Sequence, residues 1–246
     1  MEDRRAGEIA SKRMLIFIAV GLGLILSVVG SFGVDRPTTI HLPLSGHVIA
    51  IDAGHGGPDG GAVSKSGIVE KDITLKVALI LRDYLQESGA LVVMTRETDR
   101  DLVEEGTKGY SKRKTQDLMQ RVHLIKEKQA DTLVSIHLNT IPSPKWSGAQ
   151  TFYHPSLEES RALATSIQEE IIRNLKNTTR LPKQREDIYI LKASGIPAAM
   201  VEIGFLSNPE EAALLADEKY QRKMAEAIYR GVLKYRSKEP IPKLEE

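Results

Sequence analysis

The segment HVIAIDAGHGG at residues 47–57 opens the strand–helix–strand pattern that decides the fold. Residues 47–51 are a β-rich run that leads into a glycine loop. Residues 70–88 then carry apolar side chains at helical spacing and stop before Gly89, and residues 90–95 form a second β-rich run. Two strands joined by a helix in this way are the unit from which parallel sheets are built.

The same alternation of strands and helices continues toward the C-terminus. Further helices are expected around 118–125, at 159–175, from Asn208 onward and at 218–235, and further strands at 132–136, 149–153, 188–191 and 198–203. The pattern predicts an α/β fold with a single domain. In this fold a mainly parallel, twisted sheet of about six strands has helices on both faces.

The composition excludes several classes of site. The chain of 246 residues has a net charge of +1, which gives no reason to expect a nucleic-acid partner. It contains no cysteine, so thiol nucleophiles, disulfides and cysteine-based zinc sites are all excluded. The glycine loop lacks the G-K-[ST] of a phosphate-binding loop. Any metal must therefore be held by histidine and carboxylate side chains.

Four residues that suit metal or acid–base chemistry lie at the ends of apolar runs. His55, His137 and Glu202 each come at the end of an apolar run, and Glu70 opens the helix after the first strand. Active groups of such folds gather at the carboxyl ends of the strands, so these four side chains are expected at one edge of the sheet. Two histidines and a carboxylate are a catalytic zinc set, and a second carboxylate can transfer protons. The combination indicates cleavage of an amide by water.

The most specific segment is VEIGFLSN at residues 201–208. Glu202 interrupts an apolar strand, where an unpaired carboxylate is costly. Burial is expected to raise its pKa, which suits a group that accepts a proton and returns it. The alternative is a structural carboxylate paired with a distant arginine.

The GHGG loop at 54–57, the downstream Glu70, SIHLN at 135–139 and VEIGFLSN together resemble the zinc-dependent N-acetylmuramoyl-L-alanine amidases of bacterial cell-wall metabolism. The resemblance covers roughly residues 47–235. It implies that His55, Glu70 and His137 bind one zinc ion and that Glu202 is the catalytic carboxylate. It also implies hydrolysis of the bond between the lactyl group of N-acetylmuramic acid and the L-alanine of the peptidoglycan stem peptide.

Several finer expectations accompany this resemblance. Many members of the family read SIHAN where this chain reads SIHLN, and Leu138 is expected to point away from the metal. Asn139 is expected to face the site, and Arg185 to meet a carboxylate of the stem peptide. The polar, basic segment at 99–115 is expected to form a lid or to contact a partner.

The short build without a wall-binding module resembles the germination-specific amidases of spore formers, which act in making muramic δ-lactam in the spore cortex. It also suggests that another protein delivers or activates the enzyme.

An uncharged apolar segment, MLIFIAVGLGLILSVVG, occupies residues 14–30. As a helix it would be roughly 25 Å long, slightly short of a bilayer core of about 30 Å. Basic residues precede it and favour export of the chain that follows. No A-x-A cleavage site stands out, so a cleaved signal peptide and a retained anchor both remain open.

These features divide the chain into four parts. Residues 1–33 are expected to be a signal peptide or membrane anchor, 34–46 a linker, 47–236 the amidase catalytic domain and 237–246 a flexible tail. The catalytic domain is therefore expected outside the cytoplasmic membrane, either secreted or tethered by the N-terminal segment.

Two other functions remain open from the residues. A zinc carboxypeptidase-like peptidase uses a similar set, but its first pair usually reads H-x-x-E, whereas His55 and Glu70 are far apart. An inactive, membrane-tethered wall-binding protein would be expected to lack one of the four residues, and all four are present.

Overall fold

The computed structural model describes residues 42–104 and 106–237. Its strands form one mixed sheet. The six strands are β1 (Val48–Ala53), β2 (Leu91–Met94), β3 (Thr132–Asn139), β4 (Gln150–Tyr153), β5 (Lys183–Gln184) and β6 (Ala198–Phe205). Their order across the sheet is β2-β1-β3-β6-β4-β5. Strands β2, β1, β3 and β6 are parallel, and β4 runs antiparallel to β6. The predicted fold class is confirmed.

Helices cover both faces of this sheet. They are α1 (Glu70–Glu87), α2 (Tyr110–Glu127), α3 (Glu158–Leu175), α4 (Tyr189–Ala193), α5 (Pro209–Ala216) and α6 (Glu218–Arg236). The larger buried cluster joins the sheet to α1, α3, α5 and α6, and a smaller one joins the opposite face to α2 and α4. Side chains alternate between faces along each strand, so strand residues of the two clusters alternate in sequence.

Two expectations about the helices and strands are wrong. Residues 188–191 were expected as a strand, but Tyr189–Ala193 is a helix and the edge strand is Lys183–Gln184. Ile190 and Leu191 are consecutive and both 2% exposed, which a strand with one buried face does not allow but a short helix does. The expected irregular segment at 99–115 is also shorter than predicted, because α2 already begins at Tyr110.

The N-terminal predictions concern residues that the structure hardly covers. Residues 1–33 lie outside the described part, as do most of the predicted linker and all but Ser237 of the predicted tail. Within residues 42–104 and 106–237, the structure contains no helix with the length and apolar character needed to span a bilayer.

Candidate metal centre and active site

Three of the singled-out residues meet at the carboxyl edge of the sheet. His55, Glu70 and His137 each offer a ligand atom, and these atoms lie within 4.8 Å of one another. Glu70 Oε1 is 3.2 Å from His55 Nε2 and 3.1 Å from His137 Nδ1. Two imidazole nitrogens and one carboxylate oxygen are the donor set of a catalytic zinc site that leaves one position open.

The first histidine is held by an unusual turn after β1. His55 has a φ of +62°, a left-handed conformation that non-glycine residues rarely adopt, and it is followed by Gly56 and Gly57, which also have positive φ. Gly54 leaves the space that the second histidine occupies: a Cβ at Gly54 would lie 2.5 Å from Cε1 of His137. The absence of a side chain at Gly54 therefore makes room for the imidazole of His137.

Glu70 is the first residue of α1 and is only 3% exposed. Its Oε2 accepts a hydrogen bond of 2.8 Å from the backbone N–H of Ala62, and its Oε1 accepts one of 2.9 Å from the N–H of Leu138. Burial acts against ionisation, but the contacts with His137 and His55 hold the pKa of Glu70 well below its usual range. The carboxylate is thus ionised and fixed in direction.

An additional acidic residue, Asp59, lies next to Nδ1 of His55, the ring nitrogen that does not face Glu70. Asp59 Oδ2 is 2.9 Å from His55 Nδ1, although the ring N–H is not aligned for a hydrogen bond. Tyr110 donates to Asp59 through its hydroxyl at 2.8 Å. Burial acts to lower the pKa of His55, but Asp59 and Glu70 together raise it to about 9. In the absence of a cation, His55 is therefore protonated at neutral pH.

Glu202 stands next to His137 because the two residues are paired between β6 and β3. Paired residues of neighbouring strands point to the same face. Burial raises the pKa of Glu202 to about 7, against the opposing effect of His137. One of its oxygens, Oε2, is buried without a hydrogen-bond partner. No arginine or lysine forms an ion pair with it in the described residues, so the alternative of a paired structural carboxylate receives no support.

A divalent cation fits this arrangement. The three ligand atoms are close enough to share one ion, and the nearby carboxylate of Glu202 has an unsatisfied oxygen that can accept a proton from water. Leu138, whose identity departs from the commoner SIHAN, is 4% exposed and packs in the larger core cluster. It points away from the site, as expected from strand alternation.

The two residues expected to contact substrate are less clearly placed. The pairing of β3 with β6 shifts between His137 and Asn139, so Asn139 is paired with Phe205. His137 and Asn139 are both half-buried and Leu138 between them is buried, so the alternation along β3 is kept. Arg185 lies just past β5, where Nε and Nη2 donate to Asp187 at 2.7 and 2.5 Å. A substrate carboxylate would have to compete with Asp187 for this guanidinium.

A residue that sequence reasoning missed lies on the other side of Glu202. Gln150 of β4 is paired with Glu202, so His137, Glu202 and Gln150 form a row across three strands on one face. Gln150 Nε2 donates to the backbone carbonyl of Leu181 at 3.0 Å, which fixes the orientation of its amide. Only the antiparallel register of β4 could reveal this neighbour. Asp59, by contrast, could have been found from the sequence, because it is an acidic residue only four positions after His55 in the same glycine loop.

The comparison with known proteins agrees with this geometry. The Amidase_3 family model, N-acetylmuramoyl-L-alanine amidase, matches residues 49–234. The chain belongs to this amidase family. The family contains the enzyme class expected from the motifs, so that expectation is confirmed, and the carboxypeptidase alternative is not supported.

Individual relatives match more than three quarters of the chain. The germination-specific N-acetylmuramoyl-L-alanine amidase of Bacillus subtilis (strain 168) is 58% identical over 194 residues, which are 79% of this chain and 81% of that protein. The structure of the CwlD amidase from Clostridioides difficile in complex with the GerS lipoprotein is similar, with 45% identity and a TM-score of 0.76 over 78% of this chain and 98% of that chain. The amidase AmiC2 of Nostoc punctiforme shares 34% identity with a TM-score of 0.68, over 78% and 98% of the two chains. The expected resemblance to germination-specific amidases is therefore confirmed.

Proposed function

We propose that this amidase hydrolyses the bond between N-acetylmuramic acid and L-alanine in peptidoglycan with one zinc ion held by His55, Glu70 and His137, and with Glu202 as the catalytic carboxylate. The observation that carries this proposal is the placement of Glu202 beside His137, with a buried, unpartnered oxygen and a pKa raised by burial to about 7. A carboxylate with a pKa near the working pH is well suited to both accept and donate a proton.

Each group in the proposed site has a separate role in the reaction. Bound zinc supplies Lewis acidity and makes water a better nucleophile at neutral pH. Glu202 accepts a proton from the attacking water and returns it to the departing alanine nitrogen. Contacts with His137 and His55 favour the ionised form of Glu70, and the N–H groups of Ala62 and Leu138 fix the direction of its carboxylate. The carboxylate of Asp59 lies next to Nδ1 of His55, on the other side of the ring from Glu70. No covalent enzyme intermediate is needed.

Substrate contacts are proposed for three residues beside this centre. Gln150 continues the row of His137 and Glu202 and presents an amide oxygen and a second N–H toward groups near the scissile bond. Asn139 follows His137 at the end of β3 and remains a candidate. Arg185 is a candidate for a stem-peptide carboxylate once it releases Asp187, because the two anions would bind the same guanidinium fork.

The biological setting proposed is cortex maturation in a spore, with muramic δ-lactam as the product needed for germination. The identity with the germination-specific B. subtilis amidase supports this role. The proposed location is outside the cytoplasmic membrane, reached through residues 1–33 as signal peptide or anchor. A delivering or activating protein partner is also proposed, supported by the C. difficile relative, whose structure is a complex with a lipoprotein.

The reaction is tested by metal analysis and mass spectrometry of digested peptidoglycan. The wild-type protein is expected to contain zinc and to release peptides that begin with L-alanine. Glu202→Gln should keep zinc but lose about 100- to 10,000-fold in rate, the range expected for removal of a proton-transfer group. Glu210→Gln is the matched control, because Glu210 is an exposed glutamate in the first turn of α5 and is not one of the site residues. Undiminished peptide release by Glu202→Gln would refute the assignment.

The spore role is tested by expressing the gene in a spore former that lacks its own germination-specific amidase. Wild-type protein should restore muramic δ-lactam in the cortex, and Glu202→Gln should not. Restoration by the inactive variant, or no restoration by an active wild type, would contradict the role.

A further inference from the structure

Two arginines are buried beneath the turn that carries His55. Arg96 follows β2, Arg121 belongs to α2, and each is 1% exposed. A buried guanidinium is costly unless its charge and its donors are satisfied. Neither arginine belongs to the group of metal-type ligands formed by His55, Glu70 and His137.

Both guanidiniums donate to backbone carbonyls of the turn. Arg121 donates from Nη1 to the carbonyl of Ala53 at 2.8 Å and from Nη2 to that of His55 at 2.6 Å. Arg96 donates from Nε to the carbonyl of Ala53 and from Nη2 to that of Gly54, each at 2.9 Å. The carbonyls of Ala53, Gly54 and His55 are therefore all bound by arginine donors.

Arg121 is itself fixed by two carboxylates. Its Nη1 is 2.8 Å from Asp52 Oδ1, and its Nε is 2.8 Å from Asp117 Oδ2. Although burial opposes ionisation, Arg121 lowers the pKa of Asp52 to about 2. Ser135 donates to the other oxygen of Asp52 at 2.6 Å. The planar guanidinium thus has little freedom to turn, and this suits a group that sets geometry.

The backbone conformation of His55 explains why the hydrogen bond from Arg121 to its carbonyl is important. Its φ of +62° is unfavourable for a residue with a Cβ, and residues in such conformations persist only where the surroundings over-determine them. This backbone conformation sets the direction of the His55 carbonyl and the direction in which its side chain leaves the backbone. Among the hydrogen bonds of the described residues, the one from Arg121 is the only bond to the His55 carbonyl.

We infer that Arg121 is a positioning residue for the metal site: it clamps the His55 carbonyl, holds the left-handed turn and thereby sets the affinity for zinc. It touches neither substrate nor metal. This inference rests on the proposed zinc site. Arg96 provides the matched comparison, because it is equally buried and binds the same turn but makes no hydrogen bond to the His55 carbonyl.

The test compares Arg121→Lys with Arg96→Lys and wild type in the full folded protein. Zinc dissociation constants are measured by competition with a chromophoric chelator, and unfolding is followed by circular dichroism in EDTA. Lysine keeps the charge but loses the planar fork. Both variants should be less stable, but Arg121→Lys should weaken zinc binding about 10- to 100-fold, the range seen when a partner of a metal ligand is removed. Arg96→Lys should change it less than about 3-fold, and saturating zinc should restore most of the kcat of Arg121→Lys.

Several results would overturn the inference. One is an unchanged zinc affinity in Arg121→Lys, and another is equal weakening in both variants, which would indicate general destabilisation. If Arg121→Lys does not fold, Asp117→Asn decides the question, because it removes the anionic acceptor at Arg121 Nε while an amide oxygen can still accept from Leu102 N–H. It should weaken zinc binding several-fold, and no change would overturn the inference. A wild type that binds no zinc would instead refute the proposed function.

Discussion

Glu202 of β6 is paired with His137 on the neighbouring strand β3, and both side chains point to the face of the sheet that α2 and α4 cover. This single pairing brings a carboxylate with a raised pKa next to a metal-type ligand. The two residues are 65 positions apart (202 − 137). Their proximity follows from the parallel register of two central strands, which holds the pair more rigidly than a loop would.

The raised pKa of Glu202 predicts a pH-dependent effect on stability in the metal-free protein. Burial raises this pKa from 4.5 to about 7, so the native state holds the proton more tightly than the unfolded state does. The stabilisation from this proton is fully present below about pH 4.5 and is lost as the pH rises through about 7. Glu202→Gln should therefore be more stable than wild type at pH 8, by about 1–3 kcal/mol, and similar to it at pH 4.5.

Urea unfolding in EDTA at both pH values measures this difference. Glu210→Gln, at an exposed position, should show no such divergence. If Glu202→Gln and wild type are equally stable at pH 8, the buried carboxylate is not protonated in the way that its surroundings imply.

The contact between Gly54 and His137 predicts that even a methyl group at position 54 is harmful. A Cβ there would lie 2.5 Å from the imidazole, so His137 must move. Displacement of a reacting group by about 1 Å can reduce the rate about 100-fold, and a loss of at least 10-fold in kcat/KM is expected for Gly54→Ala. Gly60→Ala is the control in the same loop, because its Cβ would meet only a Val69 methyl at 3.3 Å. Equal activity of the two variants would contradict this account.

The row of His137, Glu202 and Gln150 predicts a role for Gln150 in substrate binding. Loss of one hydrogen bond of about 0.5–1.5 kcal/mol should raise KM about 2- to 10-fold in Gln150→Ala, while zinc content stays unchanged. Steady-state kinetics on a soluble muropeptide measure the effect. Gln184→Ala, on the exposed edge strand β5, should behave like wild type. A fall in kcat without a change in KM would argue against a binding role.

The contact between His55 and Asp59 predicts how zinc binding depends on pH. Asp59 and Glu70 raise the pKa of His55 to about 9, so protons compete with zinc below that pH. Zinc affinity should fall as the pH is lowered from 9 to 6, measured by chelator competition. In Asp59→Asn the pKa of His55 drops, and the pH at which affinity begins to fall should drop with it. Tyr110→Phe keeps the carboxylate and should retain the wild-type profile, so a shift in both variants would point to a different cause.

Much of the site was predictable because its residues belong to, or directly adjoin, strongly patterned strands and helices, although His137 and Glu202 lie inside β3 and β6 and not beyond their ends. His55, His137 and Glu202 each follow an apolar run, and Glu70 starts a helix with a clear apolar face, so strand order alone brings them to one edge. The run at 188–191 misled because β-branched and aromatic residues in a short segment suit either a strand or a buried helical turn.

The sequence by itself determined the α/β class, the exclusion of cysteine chemistry and the four residues at the sheet edge, because apolar periodicity and residue type are local properties. Tertiary structure alone decided that Glu202 faces His137, that Gln150 joins their row and that Arg121 holds the backbone of His55. These relationships depend on strand register and on contacts between residues more than 50 positions apart, as in the Arg121–His55 pair with a separation of 66, and no local pattern encodes them.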